Sequence, residues 1–182
     1  GIKKSFNNQR AVLTIALFKS ANNNLGEFVG RDASTGTAFY APRDFDSKGY
    51  EIELSGELVR GLNVGAGFTY VKLEDGDGEE VRPYVPARLL KASASYRLPS
   101  LPKLKVGGIV KWQEEISTAG DTVSQKAYTL VDLSLGYDIS PKVSVALNVD
   151  NVTDEKYLNS LYWDQAYYGA PRNVSASISW NY

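Results

Sequence analysis

The side chains of this chain that could do chemistry are carboxylates, amines, guanidinium groups and phenols, because the sequence contains neither Cys nor His. Without a thiolate or an imidazole, a Cys-His or Ser-His nucleophile cannot be assembled, and the commonest transition-metal ligand is missing. Glu51 and Glu53 lie two positions apart, which places them on one face of a strand. Lys and Arg share that face, as in a structural ion-pair network. We therefore predict no enzymatic activity and no cofactor.

Charge is nearly balanced over the chain, with 20 Lys and Arg against 21 Asp and Glu. A nucleic-acid-binding domain would carry a basic excess, so no nucleic-acid partner is expected. The acidic stretch at 74–80 (EDGDGEE) fails the EF-hand pattern, because the position that needs Gly holds Glu80 and no spaced Glu follows. We interpret this stretch as a solvated loop and expect no metal site.

Apolar and polar residues alternate through most of the chain, which is the pattern of β-strands with one apolar face. In the last stretch, apolar residues at every second position from Val174 to Tyr182 are separated by Ser and Asn. The same period predicts eight strands, at 10–19, 49–58, 62–73, 88–98, 104–113, 127–138, 142–150 and 173–182. Their length of roughly ten residues is what a tilted strand needs to cross a bilayer.

The predicted connections sort into short and long ones that alternate along the chain. The short connections are at 59–61, 99–103 and 139–141, and the long ones are at 74–87, 114–126, 151–172 and, in part, 21–48. Transmembrane β-barrels have short periplasmic turns and long extracellular loops. The sequence therefore predicts an all-β fold, an eight-stranded antiparallel up-and-down transmembrane β-barrel, forming a single domain over 1–182 with lipid bilayer or detergent around it.

The two faces of the predicted sheet differ in chemistry. The apolar face has aromatic residues at both ends of an aliphatic belt. Tyr and Trp prefer the interface between membrane and water, so this face is expected to face lipid. These girdle residues are Tyr50, Phe68, Tyr70, Tyr96, Trp112, Tyr137, Trp180 and Tyr182. The other face would line a narrow interior, filled by a network of paired charges rather than an open pore. That predicted lumen network comprises Glu51, Glu53, Glu57, Lys91, Arg97, Lys105, Lys111, Asp132, Asp138 and Asp150.

Four stretches resemble one known family, and they occur in that family's order. NVDNVTDEKY at 148–157 resembles the Asn-x-x-Asn-hydrophobic-x-Asp-x-x-Tyr signature near the end of TonB-dependent outer-membrane receptors. YGAPRNVSASISWNY at 168–182 looks like their last strand. SKGYEIELSGEL at 47–58 and VPARLLKASASYRLP at 85–99 are similar to two of their earlier strands. The ferric-siderophore receptors are the subgroup that the chain most resembles.

The resemblance implies a location and a set of partners. That family has a barrel of about 22 strands with a separate plug. The eight strands predicted here match its C-terminal third, so we expect the plug domain and the TonB-contacting segment to be absent. The implied location is the bacterial outer membrane with both termini periplasmic, and the C-terminal strand would be recognised by the outer-membrane assembly machinery. Extracellular aromatics contact the ligand in siderophore receptors, so Tyr162, Trp163, Tyr167 and Tyr168 are candidates, with loop packing as the favoured alternative.

Three interpretations of function follow. The first is an outer-membrane barrel resembling the C-terminal part of a ferric-siderophore receptor, truncated or engineered as a scaffold without transport activity of its own. The joint absence of Cys, His and Met favours this interpretation, and siderophore binding is then not expected. The second is a fragment of a TonB-dependent receptor for ferric-siderophore uptake. The third is a soluble lipocalin-like ligand-binding barrel, which the sorted loops and the small polar inner face disfavour.

Overall fold

The alternating sequence forms one continuous antiparallel sheet in the computed structural model, which describes residues 1–162 and 166–182. Nine strands follow one another in chain order and each pairs with its neighbour. They are β1 (Ile2–Phe6), β2 (Ala11–Arg31), β3 (Ala38–Val59), β4 (Leu62–Asp75), β5 (Arg88–Arg97), β6 (Leu104–Gln113), β9 (Tyr128–Ser140), β10 (Val143–Asp150) and β13 (Asn173–Trp180). Two short hairpins complete the structure: β7 (Ile116–Ser117) with β8 (Ser124–Gln125), and β11 (Leu158–Ser160) with β12 (Tyr167–Tyr168).

The predicted all-β, antiparallel, up-and-down order is confirmed by this sheet. The eight predicted strands correspond to β2, β3, β4, β5, β6, β9, β10 and β13. A ninth strand, β1, precedes them at one edge, and β13 forms the other edge. In the described part of the chain these two edge strands are not paired with each other, so the sheet is an open arc of barrel wall. The same residues include no helix of the length and apolarity that crossing a membrane requires.

The first hairpin extends well beyond the strands that the sequence predicts. Apolar alternation fades after Leu17, and Asn22, Asn23 and Asn24 suggest a loop. In the structure the ladder continues past a bulge at these residues to the pair Arg31↔Ala38. Backbone hydrogen bonds need no particular side chain, which explains the difference. The ten residues from Asn22 to Arg31 add about 33 Å of strand at ~3.3 Å per residue.

A tight turn closes the tip of this hairpin. The Asp32 carboxylate accepts hydrogen bonds from the Ser34 hydroxyl at 2.5 Å and from the backbone N–H groups of Ser34 and Thr35, each at 2.8 Å. These donors lower the pKa of the Asp32 carboxyl to about 2, with the Ser34 hydroxyl as the largest cause. The turn therefore keeps its charged, hydrogen-bonded form throughout the physiological pH range.

The cross-strand register keeps the apolar face continuous from one edge of the sheet to the other. Apolar residues pair with apolar residues in neighbouring strands, as in Phe68↔Leu90, Val110↔Val131 and Val145↔Ile178. Among the described residues, the only buried hydrophobic side chains are Ala11, Ile116 and Leu161. Ile178 is 72% exposed and Leu17 is 79% exposed. A soluble domain of this size would bury such a face in a core, so this face requires an apolar environment outside the protein.

Short and long connections lie at opposite ends of the strands, as the sequence predicts. The short turns are at 7–10, 60–61, 98–103 and 141–142, and the long connections are at 76–87, 114–127 and 151–172. The connection expected over 21–48 is reduced to 32–37 by the long hairpin. In the first turn, Asn7, Asn8 and Gln9 have φ values of 53°, 55° and 65°, a left-handed conformation that Asn tolerates well.

Candidate functional site

Charged side chains on the polar face form pairs between strands, either neighbouring ones, as for Lys111 and Asp132, or strands separated by one other, as for Arg97 and Asp138. Lys111 Nζ lies 2.9 Å from Asp132 Oδ2, and Arg97 Nη1 lies 2.8 Å from Asp138 Oδ2. Both pairs join members of the predicted lumen network. Glu57, also in that network, pairs at 3.2 Å with Arg10, which the sequence analysis did not include.

The rest of the predicted network does not assemble. Over the described residues, Glu51, Glu53, Lys91, Lys105 and Asp150 form no ion pair. The register places Lys91 opposite Lys111, and Arg97 opposite Lys105, so like charges face each other. On β3, Glu51 and Glu53 are separated from these cations by the Gly67 and Thr69 positions of β4. A fully paired interior stays a prediction, because in the described residues the sheet is an open arc with no opposite wall to supply partners.

The aromatic girdle residues share the apolar face. Tyr50 and Tyr70 are directly opposite in register with ring centroids 5.4 Å apart, and Phe68 lies 6.0 Å from Tyr50. These three and Trp112 lie toward the long connections. The remaining members lie toward the short turns or the C-terminus: Tyr96, Tyr137, Trp180 and Tyr182. Their role at a membrane interface stays a prediction.

Three long connections pack on one another beyond the sheet. Ile116, Thr118 and Leu161 are at most 4% exposed, and they come from the connections at 114–127 and 151–172. The backbone N–H of Ser117 donates to the carbonyl of Pro83, which ties in the connection at 76–87. We call the described residues of these connections the loop cluster. Apart from Ala11, the buried hydrophobic side chains of the described residues lie in this cluster rather than beneath the sheet.

Tyrosines extend from this cluster. The Tyr162 ring packs edge-on against Tyr84 at 5.2 Å, and burial raises the pKa of the Tyr84 phenol, which keeps it protonated. Tyr167 and Tyr168 form β12 and are 55% and 77% exposed. Trp163, the remaining predicted contact residue, lies outside the described residues. The structure therefore brings Tyr162 into a packed pair and leaves Tyr167 and Tyr168 available to a ligand.

The last connection is fastened at its base by Asn151. This side chain is 4% exposed. Its Nδ2 donates to the carbonyls of Glu155 and Ala170 at 2.9 and 3.1 Å, and its Oδ1 accepts from the Glu155 N–H at 2.9 Å. The Asn151 backbone N–H donates to Asp132, which also binds Lys111. A second bond across the base, from the Arg172 N–H to Asp154 Oδ1, is 2.9 Å long.

Sequence reasoning identified the segment around Asn151 only as a family signature. The residues that it missed are the partners: Tyr84 opposite Tyr162, Tyr128 stacked on Tyr157 at 4.6 Å, and Gln125, whose Oε1 accepts from the Leu158 N–H at 2.7 Å. These contacts join residues that are far apart in the chain. The only local signal was the run of Tyr and Asn in the connections.

Substituting Gly169 by Ala should loosen the last connection. A Cβ at Gly169 would overlap the ring of Tyr157, which is held by its stack on Tyr128. We expect the overlap to break the stack and to cost about 1–3 kcal/mol, as overpacking does. Limited proteolysis within 151–172 would then be faster.

A double substitution provides the control for this effect. Replacing Tyr157 by Ala in the Gly169→Ala background removes the overlapping ring, so it should not add to the destabilisation of the single variant. If the two substitutions instead add fully, the overlap is not the cause. Gly76→Ala is the matched Gly variant, because a Cβ there has nothing within 4 Å.

Comparison with known proteins gives consistent results. The family described as TonB dependent receptor-like, beta-barrel matches residues 1–152. The ferric-pyoverdine BN7/BN8 receptor of Pseudomonas putida is 34% identical over 185 residues, covering 100% of this chain and 22% of that protein. The ferripyoverdine receptor of Pseudomonas aeruginosa is 32% identical over 197 residues, covering 100% of this chain and 24% of that protein.

A solved structure shows the same arrangement of strands. The pyoverdine outer membrane receptor FpvA from Pseudomonas aeruginosa, bound to pyoverdine, superposes with a TM-score of 0.86 and 32% identity, covering 99% of this chain and 28% of that one. The chain thus spans about a quarter of the length of the relatives that it matches. The matched part is the C-terminal portion of the barrel in those receptors.

Proposed function

This chain belongs to the TonB-dependent receptor-like β-barrel family, and we propose that it forms the C-terminal part of the barrel wall of an outer-membrane receptor for a ferric siderophore of the pyoverdine class. The observation that carries the proposal is the superposition of 99% of the chain on a receptor bound to pyoverdine, at 32% identity. The exposed apolar face supports a membrane location, since it has no protein covering it. The same face disfavours the soluble lipocalin-like alternative.

We propose that the long connections face the outside of the cell and that the end of β13 lies on the periplasmic side. In membrane barrels the short turns are periplasmic. The end of β13 lies at the short-turn end of the sheet, beside the turn at 141–142, where the Asn181 N–H donates to the Lys142 carbonyl. The expectation that both termini lie on this side does not hold for the first residues, because β1 enters its short turn at Phe6 and its start, Ile2, lies opposite Ile15 partway along β2. The loop cluster then faces the medium, where a ligand arrives.

The proposed ligand contacts are the exposed Tyr167 and Tyr168, together with the outer edge of Tyr162 and with Trp163. Tyr162 is 51% exposed even though one side packs on Tyr84. Flat aromatic faces and phenol groups suit a ligand that has both ring and hydrogen-bonding groups. The packing of the loop cluster would hold the three tyrosines in place before binding, which reduces the entropy lost on association.

Transport is proposed for the whole receptor and not for this segment alone. A nine-stranded arc does not enclose a channel, so the segment by itself offers no route across the membrane. An engineered origin finds no support in the comparisons, whose matches are receptors from Pseudomonas, Salmonella and other bacteria. We therefore prefer the receptor fragment over the designed scaffold.

Uptake of radioactive iron tests the proposed ligand class. The protein at full native length would be expressed in a strain without its own siderophore receptors and supplied with ferripyoverdine or with ferrioxamine B, since a ferrioxamine B receptor is also 31% identical over 152 residues. We expect uptake from ferripyoverdine. Replacing Tyr167 and Tyr168 by Ala should raise Kd roughly tenfold if each ring contributes about 0.5–1.5 kcal/mol. Uptake from ferrioxamine B alone, or from neither compound, would contradict the proposal.

Membrane assembly should depend on the aromatic end of β13. Trp180 is 71% exposed and Tyr182 fully exposed on the apolar face. If the assembly machinery binds this strand, replacing both by Ala should leave most of the protein outside the outer-membrane fraction. The matched control replaces Ser177 and Ser179 by Ala, since both lie on the opposite face of the same strand. Equal amounts of both variants in the membrane would argue against recognition through these aromatic residues.

A further inference from the structure

Two Asp-Gly pairs lie one after the other in the turn at the end of β4. They are Asp75-Gly76 and Asp77-Gly78, and no other Asp or Asn of the sequence is followed by Gly. In an Asp-Gly pair, the side-chain carboxyl carbon can reach the next backbone nitrogen, because Gly has no side chain to hinder the approach. The two atoms then close a five-membered succinimide ring. The two pairs differ in the contacts of their carboxylates, and these contacts decide which pair can react.

The Asp75 carboxylate is held by three donors. The backbone N–H groups of Glu79 and Asp77 donate to its Oδ1 at 3.0 and 3.1 Å, and Arg43 Nη2 donates to its Oδ2 at 3.3 Å. The Asp75 side chain is 18% exposed. The Glu79 N–H is the largest cause of a lowered pKa of the Asp75 carboxyl, which therefore stays ionised. Ring closure at Asp75 would require breaking all three contacts and neutralising this carboxylate.

The surroundings of Asp77 are open. Asp77 is exposed, and its carboxylate makes no hydrogen bond or ion pair within 1–162 and 166–182, the residues that the structure describes. Gly78 has a φ of 85°, and a Cβ there would meet nothing within 4 Å, so its backbone has space to rotate. The Gly78 N–H donates to the Asp75 carbonyl at 3.1 Å, and this single backbone bond must open before the nitrogen can react. Asp77 also borders a cleft of about 390 Å³ that is open to solvent, so water reaches the site.

We propose that Asp77 is a site of spontaneous isomerisation to isoaspartate, and that the contacts of the Asp75 carboxylate protect Asp75 from the same reaction. In the first step the Gly78 nitrogen bonds to Asp77 Cγ, the Cγ–OH bond breaks, and water leaves with the amide proton and the hydroxyl group. In the second step water adds to one of the two ring carbonyls and breaks its bond to the nitrogen. Attack at Cγ restores aspartate. Attack at the former main-chain carbonyl leaves the chain running through Cγ, which is isoaspartate, and water is the only co-reactant.

Isoaspartate would disrupt the turn, because it adds one carbon to the main chain. The turn is closed by the bond from the Gly78 N–H to the Asp75 carbonyl and by a bond of 2.9 Å from the Asp75 N–H to the Glu79 carbonyl. A longer chain between Asp75 and Glu79 does not fit both bonds. The next attachment of this connection to β4 is the bond of 3.0 Å from the Val81 N–H to the Leu73 carbonyl. We therefore expect faster amide exchange over 75–81 in the isomerised molecules.

Peptide mapping of aged protein tests the site. The full-length protein in detergent would be kept at neutral pH and physiological temperature for several weeks and then digested with trypsin. Cleavage after Lys72 and Arg88 releases both Asp-Gly pairs in one peptide, 73–88, and electron-transfer fragmentation distinguishes isoaspartate from aspartate at each position. A synthetic peptide of the same sequence is the unfolded reference. We expect similar isomerisation of Asp75 and Asp77 in the peptide, and at least about tenfold faster isomerisation of Asp77 than of Asp75 in the folded protein.

A substitution assigns the reaction to Asp77. Asp77→Glu is the test variant, because a Glu carboxyl would have to close a six-membered ring, which forms far more slowly. Asp121→Glu is the matched control: Asp121 is exposed in another connection, and the branched side chain of Thr122 hinders the approach of its nitrogen. Enzymatic methylation of isoaspartyl groups measures the total amount formed. We expect aged wild type and Asp121→Glu to contain the same amount, and Asp77→Glu to contain at least about tenfold less.

Each of four results would overturn the proposal. Equal isomerisation of Asp75 and Asp77 in the folded protein would show that the carboxylate contacts give no protection. Faster isomerisation of Asp75 would reverse the assignment. Isoaspartate in the peptide but not in the folded protein would show that the Gly78 backbone bond blocks the reaction, and an unchanged amount in Asp77→Glu would place the reaction elsewhere. Since the reaction involves only this turn and water, a failure of ferripyoverdine uptake would reject the proposed ligand class and leave the isomerisation site standing.

Discussion

Leu133→Arg is expected to lower the free energy of unfolding in a bilayer by about 2–4 kcal/mol, the cost of an arginine near the bilayer midplane on a lipid-facing strand. Leu133 lies in the central part of β9, pairs with Gly108 and Val149 on the apolar face, and is 50% exposed. The hydrocarbon around an exposed side chain at this depth offers no acceptor for the guanidinium hydrogen bonds. The substituted protein must therefore thin the bilayer or partly unfold.

The neighbouring residue provides the control. Ser134 is exposed on the opposite face of β9, so Ser134→Arg places the same side chain toward the interior. Urea-dependent unfolding of the full-length protein in lipid vesicles, followed by the shift in gel mobility on boiling, would compare the two variants. We expect the midpoint to fall for Leu133→Arg and to change little for Ser134→Arg. A larger loss for Ser134→Arg would mean that the faces are assigned the wrong way round.

Asn151→Ala is expected to release the last connection from the sheet. The substitution leaves the carbonyls of Glu155 and Ala170 and the N–H of Glu155 without their partner. A buried polar group that loses its partner costs about 1–3 kcal/mol, and Asn151 also has φ 48°, which Ala adopts less readily. A local cost of about 3 kcal/mol would make amide exchange within 151–172 roughly 100-fold faster.

Hydrogen exchange followed by mass spectrometry measures this directly. Asn148→Ala in β10, three residues before Asn151, is the matched control, because no hydrogen bond of its side chain is found among the described residues. Exchange should rise in the last connection of Asn151→Ala and stay unchanged in the control and in β10. If the affinity for ferripyoverdine falls in parallel, the base of the connection positions the ligand contacts. Unchanged exchange would show that the remaining bonds, including Arg172 to Asp154, are sufficient.

Features that follow from the alternation of side chains along a strand were predictable from the sequence. Features that depend on which strands pair, and for how far, were not. Alternation identified eight strands, their apolar face and the sorting of connections, because side-chain direction follows from position along a strand. It placed the end of the first strand at Lys19, because the asparagines at 22–24 interrupt the pattern. The hairpin nevertheless continues to Arg31, because its backbone ladder does not depend on those side chains.

For the residues of the candidate sites, too, the face of the sheet was predictable from the sequence and the contact partners were not. Gln125 and Leu158 are unremarkable in the sequence, and only the fold brings the Gln125 Oε1 atom to the Leu158 N–H. Lys111 and Asp132 were correctly placed on one face, but nothing in the sequence indicated that Asp132 would also bind the Asn151 backbone. The tyrosines of the last connection were visible, whereas the buried Leu161 between them, which organises the loop cluster, has no local signature.

The near absence of a buried core has a calorimetric consequence. A soluble domain gains about 12–15 cal/mol/K of heat capacity per residue on unfolding, mostly because apolar surface becomes hydrated. Here the apolar face is outside the protein, and it stays in contact with hydrocarbon when the chain unfolds within a micelle. The heat capacity change measured on unfolding should then be a small fraction of that of a soluble domain of the same length. It should arise largely from the loop cluster. The free energy of unfolding of this segment would consequently change little with temperature. It would not fall at low temperature as the free energy of unfolding of a water-soluble protein does.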